Sequence, residues 1–242
     1  MPAIGTNCFT CQARHRTEWC VLSDDELRLI DDNRVGRELL PGEVLFNEGD
    51  DCRGVYCVES GLIGLRKYDA EGNSILLHLS MPGETLGYRA LLTDTDFKAS
   101  AEALEPSRVC FIGHRTVRSL LEQNPALGLR FLKRASNELE EAEEKIFHNV
   151  TLSVRARFAH LLAVLIDRTL SETDETAGAE IRLPISRTDM ASMIGTTPES
   201  VSRTIRKLED EGIVRFSGAG GRTLTVPDLD TLANEFEPQE YL

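Results

Sequence analysis

Between residues 186 and 208 the apolar positions fall at helical spacing twice in quick succession. Met190, Met193 and Ile194 form the first group; Val201, Ile205 and Leu208 form an i, i+4, i+7 stripe in the second. Gly195 separates the two groups. Thr197 stands where the second helix needs an N-cap, with Pro198 at its first position. Two short helices joined by a tight turn make a helix-turn-helix, whose second helix enters the DNA major groove by its N-terminal residues. Those residues are Glu199, Ser200, Ser202 and Arg203, with Arg206 further along the same helix. Glutamate accepts from cytosine N4, and arginine donates twice to guanine O6 and N7. The pattern predicts sequence-specific binding to double-stranded DNA.

The rest of the chain divides by texture. Ser23-Asp24-Asp25-Glu26 is a capping box that opens a helix through about Asn33. From Leu39 to about Ile112 short apolar runs are broken by glycine, as in Gly54-Val55-Tyr56-Cys57-Val58 and Gly61-Leu62-Ile63-Gly64-Leu65. Turn signals at this spacing predict an antiparallel β-roll or barrel. Helical periodicity returns after Gly113. Leu132, Leu139 and Ile146 recur every seven residues, with Ala135 and Ala142 between them, along a helix from about Asn124 to Asn149. Such a seam predicts a coiled-coil homodimer, which also meets the need to set two recognition helices about 34 Å apart. Residues 154–168 form a further helix, and Ser171–Glu180 a polar, acidic loop. Ile213-Val214-Arg215-Phe216, Gly218–Gly221 and Thr223-Leu224-Thr225-Val226 read as the hairpin wing of a winged helix. The organisation expected is a cysteine-rich segment over 1–22, a β-roll over 23–123, a dimerisation helix over 124–150 and a DNA-binding domain over 151–242.

Composition changes this picture in two places. The net charge of −13 is unusual for a DNA binder. Residues 1–150 carry 17 basic and 25 acidic side chains, net −8, and residues 151–242 carry 10 and 15, net −5. The footprint required is a basic patch rather than a basic chain, and Arg203, Arg206, Lys207, Arg215 and Arg222 can supply one. No apolar run approaches the roughly 20 residues of a membrane span, and no signal-peptide order opens the chain, so a cytoplasmic protein without membrane contact is expected. The second change comes from six cysteines, at positions 8, 11, 20, 52, 57 and 110. In a cytosolic chain clustered cysteines point to metal or redox chemistry rather than disulfides. Cys8-x2-Cys11-x3-His15-x4-Cys20 also has the makings of a tetrahedral zinc site. Cys57, alternating with Val55 and Val58, reads as a small core residue, and Cys52 has no evident partner. No Gly-rich phosphate loop, catalytic carboxylate pair or Ser/His/Asp arrangement is present, so no enzymatic activity is expected.

From about Val21 onward the chain resembles the CRP/FNR family of bacterial transcription regulators. The resemblance rests on the glycine-punctuated β-roll, the long helix and the winged helix, and most specifically on Glu199-Ser200-Val201-Ser202-Arg203. It implies an α+β fold: an N-terminal antiparallel, cupin-like β-roll sensor domain, a long dimerisation helix and a C-terminal winged helix-turn-helix. It further implies a homodimer on a TTGAT-like inverted repeat read by Glu199, Ser202 and Arg203, with RNA polymerase as partner. Members that bind cyclic AMP carry an Arg-Ser pair that grips the cyclic phosphate. Lys98-Ala99 stands there instead, and Gly87-Tyr88-Arg89 lacks the ribose-binding glutamate, so cyclic AMP is not expected. In the FNR-like iron–sulfur branch three N-terminal cysteines and one late in the β-roll hold a [4Fe–4S] cluster that makes DNA binding responsive to oxygen. Carried over, the ligands are Cys8, Cys11, Cys20 and Cys110. This sequence spaces its last two N-terminal cysteines by eight residues, where the family has five. The alternatives are a structural zinc or no metal at the N-terminus, with an organic effector in the β-roll. Haem, with His78 or His114 as axial ligand, is a more distant one.

Overall fold

The computed structural model describes residues 7–170, 180–218 and 222–236 of the chain. Two compact units divide at Glu140/Glu141. The boundary falls inside the long helix, within the stretch expected as the dimerisation helix.

In the first unit two short 3-10 turns, Gln12–Arg16 and Glu18–Val21, precede α1 (Asp24–Asn33). Ser23 caps α1 as its sequence predicts: Ser23 accepts from the Glu26 amide, and the Glu26 carboxylate accepts from the Ser23 amide at 2.8 Å. The β-roll follows as two four-stranded antiparallel sheets. One has the order β1-β8-β3-β6 and the other β2-β7-β4-β5. The strands are β1 (Val35–Leu39), β2 (Val44–Phe46), β3 (Gly54–Ser60), β4 (Ile63–Tyr68), β5 (Ser74–Ser80), β6 (Thr85–Leu86), β7 (Ser100–Ala103) and β8 (Ser107–Gly113). A short helix α2 (Tyr88–Leu92) sits between β6 and β7. Gly61 turns the chain at a φ of +84°, and a Cβ there would lie 2.5 Å from the Pro106 carbonyl oxygen, so only glycine fits.

Helices α3 (His114–Gln123) and α4 (Pro125–Thr151) close the β-roll. Pro125 occupies the first position of α4, where its missing N–H costs nothing. Trp19, Ile30, Val55, Tyr88, Ile112, Leu120 and Phe131 form one buried cluster beneath these helices, and Val58, Ile63, Leu86, Phe97 and Val109 belong to a second. Trp19 meets Phe131 edge to face at 5.5 Å, an arrangement aromatic quadrupoles favour.

The second unit holds α5 (Val154–Leu170), α6 (Arg187–Met193), α7 (Pro198–Asp210), α8 (Leu229–Ala233) and a three-stranded sheet β10-β11-β9. Its strands are β9 (Glu180–Arg182), β10 (Arg215–Ser217) and β11 (Thr223–Thr225). The β10–β11 hairpin is the predicted wing, and β9 is a third strand that the sequence reading missed. Of the loop expected over 171–180, residues 171–179 lie outside the described residues, as does the wing tip at 219–221, while Glu180 opens β9 instead.

Candidate functional site

The helix-turn-helix is assembled from local capping. Ser186 accepts from the Asp189 amide and Asp189 returns the bond, which fixes the start of α6. Gly195 takes φ +63° at the turn. Thr197 then accepts from the Ser200 amide at 3.3 Å, and Pro198 opens α7. Val201, Thr204, Ile205 and Leu208 bury one face of α7. That leaves Glu199, Arg203, Arg206 and Lys207 exposed, with Ser200 and Ser202 half-buried. Arg203 donates to the Ser200 hydroxyl at 3.2 Å, so its guanidinium is drawn toward the N-terminal end of the helix. A cation and a carboxylate therefore share the exposed N-terminal turns of α7, the part of a recognition helix that meets base edges.

On α4, Leu129, Leu132, Leu139, Ile146 and Val150 are between 61% and 82% exposed. They recur at three- and four-residue steps, so they form one stripe along the helix. Ser136 and Glu143 fall within it at the same spacing, and both are exposed. Ala142 is also exposed. Ala135, expected in the seam, is half-buried against the β-roll cluster instead. It follows Arg134 and Phe131 round to the face that α4 presents to its own domain, so the stripe runs through Leu129 and Ser136 rather than through Ala135.

The cysteines are gathered unequally. Cys8, Cys11, Cys57 and Cys110 line one small cavity that is partly open to solvent. Leu27, Ile30, Val58 and Ile112 supply apolar walls. Cys20, a predicted ligand, is not among the lining residues; its Sγ accepts from Arg130 on α4 at 2.8 Å. Cys57, read from sequence as a core residue, lies on β3 directly opposite Cys110 on β8. Cys52 is elsewhere, its thiol directed at the Gly54 and Gly87 carbonyls. A chain of bonds ties the cavity wall together. The Cys8 amide donates to Asp31 at 2.7 Å, Arg34 donates to the same carboxylate at 2.9 Å, and Arg34 also reaches the Cys110 sulfur at 3.4 Å. Burial pushes the Cys8 thiol up to about 12, with Arg34 acting against it. Burial likewise raises Cys110, again opposed by Arg34, and raises Cys57 well above the ordinary thiol value.

Three features of this cavity suit a buried, anionic, sulfur-rich group. Four thiols face it, the Arg34 guanidinium stands beside one of them, and two donors in its wall lack acceptors. Those donors are Arg14 Nε and the indole N–H of Trp19, both buried without a partner at hydrogen-bond distance. The indole still lies close enough to the Cys57 sulfur to hold that thiol down against burial. Hydrogen bonds to sulfur and local charge are what tune an iron–sulfur centre. Among the described residues no three His, Cys, Asp or Glu side chains converge tightly enough to grip a single ion. His15 is exposed and Cys20 is turned to α4, so the zinc set of Cys8, Cys11, His15 and Cys20 is not assembled. A [4Fe–4S] core binds each thiolate through a different iron, so its ligands stand farther apart than those of one ion.

The turn that carries these cysteines is joined to α4 by a buried ionic node that the sequence reading did not foresee. Arg134 donates to Glu18 at 3.1 Å, to Glu84 at 3.0 Å and to Glu138 at 2.9 Å, and its guanidinium lies 5.5 Å from the centre of the Tyr88 ring. Glu18 also accepts from Thr85 at 2.6 Å, and Glu84 meets His78 at 2.9 Å. Burial opposes the Glu84 charge, yet His78 and Arg134 together hold its pKa below the ordinary value.

Residues 36–124 match the cyclic nucleotide-binding domain family, and residues 156–235 match the Crp-like helix-turn-helix domain family. The transcriptional activator protein FnrL of Cereibacter sphaeroides is 25% identical over 97% of this chain and 94% of its own length. The transcriptional activator protein anr of Pseudomonas aeruginosa is 27% identical over 82% of this chain and 80% of its own. The chain belongs to the CRP/FNR family of transcription regulators. Among solved structures, FixK2 from Bradyrhizobium japonicum superposes on this CRP/FNR chain with a TM-score of 0.72 at 24% identity, covering 85% of this chain and 98% of that one. A CRP/FNR-family regulator from Thermus thermophilus does so at 0.68 and 26% identity, over 84% and 99%. The CRP/FNR regulator is thus a DNA-binding transcription regulator and not an enzyme, and none of its described helices is long and apolar enough to cross a membrane.

Proposed function

We propose that this regulator binds a TTGAT-like inverted repeat as a homodimer, and that an oxygen- or redox-sensitive [4Fe–4S] cluster held by Cys8, Cys11, Cys110 and a fourth cysteine governs that binding. The observation that carries the reading is the meeting of Cys8 and Cys11 from the N-terminal segment with Cys110 of β8 at one cavity wall. Several relatives bear names consistent with it: proteins from Haemophilus influenzae and Pasteurella multocida are called anaerobic regulatory protein. A bound cluster supplies the oxygen-labile element. The chain's own residues supply the transmission. With Cys8 and Cys11 held in the cavity, Glu18 and Trp19 stay seated on Arg134 and Phe131, which fixes the first half of α4. A fixed α4 offers its exposed stripe to a second copy, and pairing sets two α7 helices for adjacent major-groove turns. Release of the segment shifts the population away from that state. Glu84 is occupied by His78 and Arg134, and Lys98-Ala99 replaces the phosphate-gripping pair, which supports a signal other than cyclic AMP.

Anaerobic purification with iron, sulfide and zinc analysis tests the proposal. About four irons and four sulfides per chain, lost in air, is the expected result. One zinc per chain, or no metal, overturns it and moves the signal to the β-roll.

A further inference from the structure

We propose that the fourth thiolate of the cavity is Cys57 rather than Cys20. This assignment rests on the iron–sulfur reading above and concerns which sulfur completes it.

Cys57 and Cys110 are directly opposed on neighbouring antiparallel strands. Residues so placed project to the same face of the sheet with Cβ atoms about 4.5–5.5 Å apart. Both thiols face the cavity that Cys8 and Cys11 reach from the N-terminal segment. Two sulfurs thus come from a rigid sheet, and two from the turn that leads into the first 3-10 helix beside it. Each thiol releases its proton to solvent as its sulfur takes an iron, so ligation requires no oxidant or reductant.

Cys20 lies on the other side of the segment. A 3-10 turn advances about 120° per residue, so Trp19 and its neighbour Cys20 cannot both point into the cavity. Trp19 holds the inward position: it lines the cavity, is 3% exposed and packs on Phe131. Bringing Cys20 inward would rotate that ring out of the core and break the contact of Arg130 with the Cys20 sulfur. Cys57 needs no such movement. Its wall already holds the Arg34 guanidinium beside Cys110 and the indole N–H of Trp19 close to the Cys57 sulfur, both suited to a thiolate-bound group.

The test is anaerobic reconstitution of the full chain with equal amounts of ferrous and ferric iron and with sulfide, in wild type, Cys20→Ala, Cys57→Ala and Cys57→Ser. Iron and sulfide per chain are the readout, with Trp19 emission and far-ultraviolet circular dichroism as checks of folding. The expected result is full iron in wild type and Cys20→Ala, and at least a twofold loss in both Cys57 variants with the fold unchanged. Cys57→Ser is nearly isosteric, so it separates lost ligation from lost packing. The Cys20→Ala arm is decisive by itself, because that side chain is partly exposed and its removal leaves the core intact. Loss of the cluster in Cys20→Ala, whether or not Cys57→Ala loses it too, overturns the assignment. A wild-type chain that takes up no iron ends the iron–sulfur reading itself, before any variant is compared.

Discussion

Replacing Arg134 by methionine keeps the stem that packs beside Tyr88 and removes the charge. Glu18 and Glu84, with side chains 7% and 21% exposed, then lose their shared cation. Removing one partner of a buried ion pair costs about 3–5 kcal/mol, because the remaining charge stays desolvated. Glu18 keeps Thr85 and Glu84 keeps His78, which places the cost at the lower end, about 3 kcal/mol. For a unit of this size that corresponds to a fall in Tm of about 6–12 °C. Trp19 is the chain's one tryptophan and lies in the same unit, so its fluorescence during urea unfolding reports that unit specifically. The sign with pH follows from Glu84, whose pKa is lowered in the folded state. Such a group contributes stability that is present above its unfolded value of about 4.5 and is lost as pH falls through the folded value. The difference between wild type and variant should therefore be largest near pH 7 and shrink toward pH 4. Adding Glu18→Gln to Arg134→Met should recover at least about 1 kcal/mol, since it removes one stranded charge. A loss below about 1 kcal/mol, or one no smaller at pH 3.5 than at pH 7, would refute the account of the node.

Three further outcomes are expected. Arg203→Ala should lower discrimination between the half-site and a copy changed at its guanine by about 1–3 kcal/mol, read by competition binding at fixed salt; unchanged discrimination would remove Arg203 from base reading. Glu143→Leu should tighten self-association at least tenfold in sedimentation equilibrium, by replacing a charge inside the exposed stripe of α4 with an apolar residue; an unaltered constant would place the contact elsewhere. His160 packs against His148 and Phe236, and burial, then the His148 charge, lowers its pKa. The second unit should therefore lose stability as pH falls below about 6.5, and His160→Phe should flatten that dependence between pH 7 and pH 5.

What the sequence made legible was local. Thr197 and Pro198 mark the start of α7, Ser23 and Glu26 mark α1, and glycines punctuate the β-roll, because caps and turns depend on a few adjacent residues. The facing of a helix was less legible. Leu132, Leu139 and Ile146 define a stripe whichever flank is apolar, and only packing shows that Ala135 turns toward the β-roll. Contacts between distant positions left the weakest trace. Cys57 meets Cys110 through strand register, which depends on the length of every intervening turn. The Arg134 node did leave a signal: an arginine at i+3 from Phe131 and i+7 from Leu127 sits on the buried face of α4, where a cation demands a partner. β9 is only three residues long and follows an acidic stretch, so its pairing with β11 had no periodicity to announce it.

The bare strip on α4 has a consequence for the cell's accounting of this molecule. If occupancy of a palindromic site requires two copies, and Ser136 and Glu143 keep their pairing weak, most chains stay single at low abundance. The number of pairs then rises with the square of abundance, so doubling the number of chains raises pairs about fourfold and the paired fraction about twofold. Expression level would act as a gain setting on the sensor, and a gene that doses its own product could sharpen or blunt the response without any change at the cysteines.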